Sequence, residues 1–230
     1  MKSFSRWVRN ILIFFFTSTI LAVVILKYIP VYITPLMLIR SVEAMIDGQT
    51  PQINHHWVPL EKINHNLPQA VMASEDNLFL KHSGFDLEQI QKAQLEAQEG
   101  KRQRGASTIS QQTARNVFLW QKRSWLRKGL EAYFTFLIEK IWGKERIMEV
   151  YLNSIEMGRG IYGADAVARI NFNTTPAKLS KEQCAYIAVS LPNPRERDSA
   201  HPTSKMRKMH NTVLKRMKQI DTFPREVCAE

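Results

Sequence analysis

Two glutamates, and the stretch between them, hold the residue types in this chain best suited to chemistry. Glu75 stands in Ser74-Glu75-Asp76-Asn77-Leu78-Phe79, and Glu131 in Arg127-Lys128-Gly129-Leu130-Glu131. Between Gly100 and Leu130 there is no acidic residue, yet the interval holds Lys101, Arg102, Arg104, Arg115, Lys122, Arg123, Arg127 and Lys128. Eight like charges with no counter-charge repel one another, so such a run points to an anionic visitor. In its middle lies Gly105-Ala106-Ser107-Thr108-Ile109-Ser110-Gln111-Gln112, dense in hydrogen-bonding side chains. A carboxylate on each side of a cationic, hydroxyl- and amide-lined strip suggests acid/base chemistry on a phosphate-bearing substrate.

Each feature also has a plainer reading. Glu131 follows Arg127 by four residues, but an exposed helix pair in that order contributes only a few tenths of a kcal/mol. Its neighbours Phe134, Leu137, Ile138 and Ile141 make the helix apolar, where an unpaired carboxylate is expensive, so a functional role is favoured. Glu75 and Asp76 read equally well as helix-start acids; for the basic run a solvated or lipid-facing patch is the less favoured reading. Gly158-Arg159-Gly160-Ile161-Tyr162-Gly163 matches the dinucleotide fingerprint, but a helix rather than a strand is expected before it, so it reads as a glycine-rich connecting loop. Gly105-Ala106-Ser107 begins like a nucleophile elbow and then has Ile109 where the last glycine belongs. There is no Ser-x-x-Lys for acyl transfer, and no His-Glu-x-x-His for zinc.

The elements that must position these residues are helical. Asp86-Leu87-Glu88-Gln89 has capping-box spacing and predicts a helix to Gly100. Ser107 is the expected N-cap of a helix to about Leu119, on which Thr108, Gln111, Gln112 and Arg115 share one face. Trp125 to Trp142 reads as a central buried helix, and Lys144 to Asn153 as the next. Ser180 to Gln183 is a second capping box, with Leu191-Pro192-Asn193-Pro194 ending its helix, and Arg207 to Met217 a last basic one. The expected fold is all-α.

With 230 residues there is room for one full domain and a short appendage, and the net charge of +11 points to phosphate-bearing substrate, acidic lipid or nucleic acid. Cys184 reads as a buried small hydrophobe, Cys228 lies in the tail, and two cysteines make neither a disulfide framework nor a zinc site. Lys2, Arg6 and Arg9 precede an uncharged run from Asn10 to Leu26, 17 residues long. As a helix it spans about 25 Å, and Trp7, Lys27 and Tyr28 can complete a crossing at the interfaces. No small-residue cleavage site follows, so it reads as an uncleaved anchor with the N-terminus in the cytoplasm and the remainder outside. Ile29 to Ile39, broken by Pro30 and Pro35, is too short to span and lies along the membrane or packs on the domain. The expected division is residues 1–45 for N-terminus, anchor and membrane-proximal segment, and 46–230 for the domain.

At these residues the chain resembles the family-51 glycosyltransferases, the peptidoglycan glycosyltransferases, and among them the monofunctional membrane-anchored biosynthetic transglycosylases. The resemblance covers roughly 60–217 and five motifs. They are Glu75-Asp76-x-x-Phe79-x-x-His82-x-Gly84; Gly105 to Gln112 with Asn116; Arg127-Lys128-x-x-Glu131; Lys144-x-x-Ile147-Met148-x-x-Tyr151-Leu152-Asn153; and Arg207 through Val213-Leu214 to Met217. Arg115 stands where the family usually has Lys, and Met148 where it has Leu.

The resemblance implies a lysozyme-like helical domain beside the inner (cytoplasmic) membrane that polymerises lipid II onto a growing glycan strand in cell-wall synthesis. It implies Glu75 as the base and Glu131 as a second essential glutamate. The implied substrate-binding set is Ser107, Thr108, Gln111, Gln112, Arg115, Arg123, Arg127, Lys128 and Asn153. Two roles stay open for Glu131: orienting Arg and Lys side chains, or holding a divalent cation, magnesium or manganese, at the pyrophosphate. No organic cofactor and no nucleic acid is expected; other wall-synthesis and division proteins are expected partners. Two rivals remain. A lysozyme-like glycan-cleaving enzyme would also use carboxylates, and a tethered basic scaffold would bind anionic lipid or nucleic acid.

Overall fold

The structure is a computed structural model that describes residues 2–99 and 107–224. Lys101, Arg102, Arg104, the Gly105-Ala106 start of the elbow-like motif, the expected helix end at Gly100, and Cys228 lie outside these residues. The architecture is predominantly helical, as expected, with α1 over Lys2–Tyr28, α2 over Pro35–Ile46, α3 over Asn66–Glu75 and α4 over Leu87–Gln98. There follow α5 (Ile109–Phe118), α6 (Trp125–Ile141), α7 (Lys144–Ser154), α8 (Gly163–Phe172), α9 (Lys181–Ser190) and α10 (Ser204–Arg216). Helices α3, α9 and α10 pack on one another, α5 packs on α6 and α7, and one apolar core runs through both groups.

Helix α1 runs beyond the uncharged segment at both ends, and its stretch Phe4–Tyr28 is long and apolar enough to cross a membrane. It is docked on the domain rather than merely tethered to it. The Trp142 indole donates to the Val23 carbonyl at 2.7 Å, Thr19 and Tyr133 share a hydrogen bond at 2.8 Å, and Arg146 donates to the Leu26 carbonyl at 2.8 Å. Arg146 thereby satisfies a carbonyl left open at the helix C-terminus, where a cation is also favoured. After α1, Thr34 caps α2, and Leu36 and Met37 bury against Tyr162. The second apolar piece therefore packs on the domain.

Three local expectations are corrected. The N-cap of α5 is Thr108, not Ser107: the Thr108 hydroxyl accepts from Gln111 N, and Gln111 Oε1 accepts from Thr108 N. The box needs Gln or Glu three residues after the cap; Thr108 has Gln111 there, whereas Ser107 has Ser110. Helix α6 is central only in part, because Trp125 is 94 % and Leu126 68 % exposed while Glu131, Thr135 and Ile138 are fully buried. The glycine-rich segment is not simply a loop. Strands β2 (Glu156–Gly158) and β3 (Ile161–Tyr162) form a hairpin there, and β1 (Asn54–His55) joins β3 in parallel. Gly160 (φ +65°) and Gly163 (φ +81°) sit where a Cβ would come within 2.8 Å of the Gln52 carbonyl and 2.6 Å of the Asn153 carbonyl. Those glycines serve close backbone approach, not a pyrophosphate.

Candidate active site

Glu75 is the last residue of α3, a helix whose apolar residues are otherwise buried against α9 and α10, so its carboxylate is delivered to the rim of that packed group. Beside it opens a cavity of about 290 Å³ lined by Glu75, Asp76, Asn77, Ser107, Lys92 and Arg216 among others. Gln112, on α5, donates from Nε2 to Glu75 Oε2 at 3.1 Å, and the Tyr151 hydroxyl on α7 donates to Gln112 Oε1 at 3.3 Å. Burial pushes the Glu75 carboxyl above its ordinary value, against the opposing pull of Gln112, Ser74 and the Arg197 charge. A carboxyl raised in this way binds a proton more readily near neutral pH.

The neighbouring carboxylate has another task. Asp76 is buried, and its oxygens lie 2.9 and 3.1 Å from His82 Nε2, while Oδ2 also accepts from Ile109 N at 3.0 Å. Gly84 N donates to His82 Nδ1, so in a neutral ring the proton sits on Nε2 and points at Asp76. Thr108 completes the tie by donating to the Gly84 carbonyl at 2.7 Å. Asp76 and His82 thus lock the start of α5, which aims Gln112 at Glu75. A Cβ on Gly84 (φ +91°) would fall 2.8 Å from Thr135 Cγ2, so glycine is required for this loop to sit on α6.

One helical turn beyond Gln112, Arg115 begins the cationic cluster. Glu131 is fully buried; Arg127 Nη1 donates to Oε2 at 2.5 Å, Lys128 Nζ bonds Oε1, and Arg115 Nη1 lies 4.0 Å from Oε2. Three cations around one carboxylate leave excess positive charge, and the Nε atoms of Arg115 and Arg127 are buried with no hydrogen-bond partner among the described residues. Burial pulls Arg115 below its ordinary value, with Glu131 opposing. Arg123 is exposed at the edge of the cluster, close enough to act on Arg115 electrostatically. These residues do not suit a divalent cation at Glu131: both of its oxygens are taken by positive groups, and a third cation stands beside them. Orienting the basic side chains is the role this geometry supports.

The expected site residues therefore divide. Glu75, Ser107 and Thr108 line the cavity, and Gln112 bonds to Glu75 beside it; Arg115, Arg123, Arg127, Lys128 and Glu131 form the adjoining cationic patch. The polar groups of Thr108, Gln111 and Asn153 are occupied within the fold. The side chains of Thr108 and Gln111 are spent on capping α5. Asn153 is fully buried, accepting from Val58 N at 2.8 Å and donating to the Val58 and Glu149 carbonyls, which clasps the chain before α3 to α7. Both amide N–H donors are used, and its oxygen is buried against the Val58 backbone. Sequence reasoning gave no task to Tyr151, Arg197 or Arg216, although Tyr151 falls on the face of α7 that the 3.6-residue period turns inward.

The sequence model of the transglycosylase family matches residues 43–218, most of the chain and all of this site. The chain belongs to the transglycosylase family. Among relatives, the biosynthetic peptidoglycan transglycosylase of Bacteroides thetaiotaomicron is 58 % identical over 97 % of this chain and 90 % of its own length. A protein of the same name from Pseudomonas syringae pv. syringae is 44 % identical over 96 % of this chain and 93 % of its own. That from Caulobacter vibrioides is 50 % identical over 82 % of each. The transglycosylase match thus embraces both the Glu75 cavity and the Glu131 cluster.

Proposed function

We propose that this chain is a peptidoglycan glycosyltransferase that polymerises lipid II into β-1,4-linked glycan strands. One observation carries the reading: adjoining turns of α5 meet a carboxylate of raised pKa at the end of α3, through Gln112, and a patch of under-compensated cations on α6, through Arg115. Glu75 takes the proton of the acceptor GlcNAc 4-hydroxyl as that oxygen attacks C1 of the donor MurNAc. The C1–oxygen bond to pyrophosphate breaks with inversion, and undecaprenyl pyrophosphate leaves with the bonding electron pair. A pyrophosphate leaving group needs charge stabilisation more than a proton, which Arg115, Arg127 and Lys128, with Arg123 at the edge, are placed to provide. Glu131 holds three of those cations together against their mutual repulsion, and no step is assigned to a metal.

Glycan cleavage by a two-carboxylate mechanism is less well supported, because the neighbouring Asp76 is consumed by His82 and the Ile109 amide. A basic scaffold has no use for a half-buried carboxylate with a raised pKa. Incubating the purified chain with lipid II and resolving the products separates these readings: polymer supports the proposal, cleavage of preformed glycan or plain binding overturns it. The basic residues ahead of the apolar stretch of α1 support a topology with the N-terminus in the cytoplasm and the domain on the outer side of the inner membrane. A reporter fused after Glu230 is then active only outside, and cytoplasmic activity overturns that topology.

A further inference from the structure

A second cavity, of about 460 Å³, lies away from the Glu75 site, between α2 and the β2–β3 hairpin. It is lined by Arg40, Arg159, Arg195, Glu156, Tyr162 and Gln49 among others. Three guanidinium groups stand here with two carboxylates, Glu156 in the lining and Glu43 beside it. Arg40 is held by Glu156 at 3.1 Å and Glu43 at 2.7 Å. Arg195 reaches Glu43 only at 3.9 Å, and Arg159, which donates to the Arg195 carbonyl, makes no ion pair among the described residues. Tyr162 is fully buried in the field of Arg40, Arg195 and Glu156, and its hydroxyl has no hydrogen-bond partner among the described residues. A buried hydroxyl without a partner is costly unless something visits it, and the donors here outnumber the acceptors. An oxyanion is the kind of group this lining complements.

The placement of α2 indicates where that anion comes from. The helix starts seven residues after the end of α1, with Arg40 and Ala44 turned to the cavity. On its outer side Leu38, Val42, Met45 and Ile46 are between 50 and 79 % exposed, at the spacing of a single helical face. An exposed apolar stripe beside a membrane-crossing helix belongs in the interfacial layer, at the depth of lipid phosphates. We propose that this cavity binds the phosphate of an anionic phospholipid headgroup, gripped by Arg159 and Arg195 with Tyr162 beneath. The proposal is independent of the catalytic reading, since none of these residues belongs to the Glu75 site.

The test uses the full chain in a neutral sugar detergent, titrated with dihexanoyl-phosphatidylglycerol and read as bound lipid by native mass spectrometry. The double variant Arg159→Gln/Arg195→Gln is expected to bind about tenfold more weakly, the scale of losing charge-assisted hydrogen bonds to phosphate. Tyr162→Phe, which removes only a hydroxyl, is expected to weaken binding about threefold, the scale of one hydrogen bond. Affinity unchanged in both variants overturns the proposal. Inorganic phosphate bound as tightly as the lipid also overturns it, by assigning the cavity to a free anion. Dihexanoylglycerol, lacking the phosphate, is expected not to compete; if it competes fully, the acyl chains rather than the headgroup are being bound and the proposal fails.

Discussion

Gln112 Nε2 donates to Glu75 Oε2 at 3.1 Å, and this bond decides how far burial can raise the proposed base. Donation to a carboxylate favours its charged form, whereas desolvation favours the neutral one, and desolvation is the larger of the two here. In Gln112→Leu the largest of the opposing contributions is gone, so the Glu75 carboxyl rises further and stays protonated to higher pH. The acidic limb of the kcat/KM profile is expected to move upward, and activity at a fixed pH on that limb to fall about tenfold for every whole pH step it moves. Tyr151→Phe, which only releases the amide oxygen of Gln112, is expected to move the limb in the same direction by less. A limb that stays put in Gln112→Leu means the amide does not govern the base.

The same raised carboxyl has a consequence for stability. A group whose native pKa lies above its unfolded value binds its proton more tightly when folded. Its contribution is therefore most favourable below the ordinary carboxylate range and declines as pH rises through the window between the two values. Glu75→Gln removes that decline. In detergent its midpoint of thermal unfolding is expected to exceed wild type at pH 7 by about 2–4 °C per kcal/mol relieved, with the difference closing toward pH 4. An equal or lower midpoint at pH 7 contradicts the upward shift that desolvation gives this carboxyl.

Arg115 tests whether the patch acts by charge. It is partly buried and lies near Glu131 without a close bond, so it is available to a phosphate. Arg115→Lys is expected to keep most polymerisation activity, and Arg115→Ala to lose on the order of 10²-fold or more. Activity of Arg115→Ala equal to wild type would leave the patch as an ordinary solvated face.

Much of this was legible in the sequence because it rests on short-range rules. Capping boxes, apolar period and proline stops marked most of the helices, and the acid-free run located the cationic patch. What escaped depends on tertiary partners. Thr108 and Gln111 look like ligand groups in a polar string, yet local hydrogen bonding claims both of them for the helix start. Asn153 reads as a site residue at the end of its motif, but its position faces the Val58 backbone, a contact between residues far apart in the chain. The small sheet was missed because strands of two or three residues carry no measurable alternation. Tyr151 is apolar by period and polar by function, and only the packing of α5 on α7 shows that its hydroxyl meets Gln112.

The two glutamates are expected to fail differently. Glu75→Gln keeps shape and hydrogen-bonding capacity but cannot take a proton, so turnover falls by about 10²–10⁴ while affinity for a donor-mimicking inhibitor stays near wild type. Glu131 is fully buried, and its oxygens face Arg127, Lys128 and Arg115. Glu131→Gln leaves those cations uncompensated in a buried setting, where removing one partner of an ion pair costs about 3–5 kcal/mol. The released arginines then repel one another and leave the arrangement that receives pyrophosphate, so donor affinity and turnover fall together and the unfolding midpoint drops. Measuring polymerisation, inhibitor affinity and thermal unfolding on both variants distinguishes the roles. Should Glu131→Gln abolish turnover with binding and stability intact, while Glu75→Gln turns over normally, the base is Glu131 and the assignment is reversed.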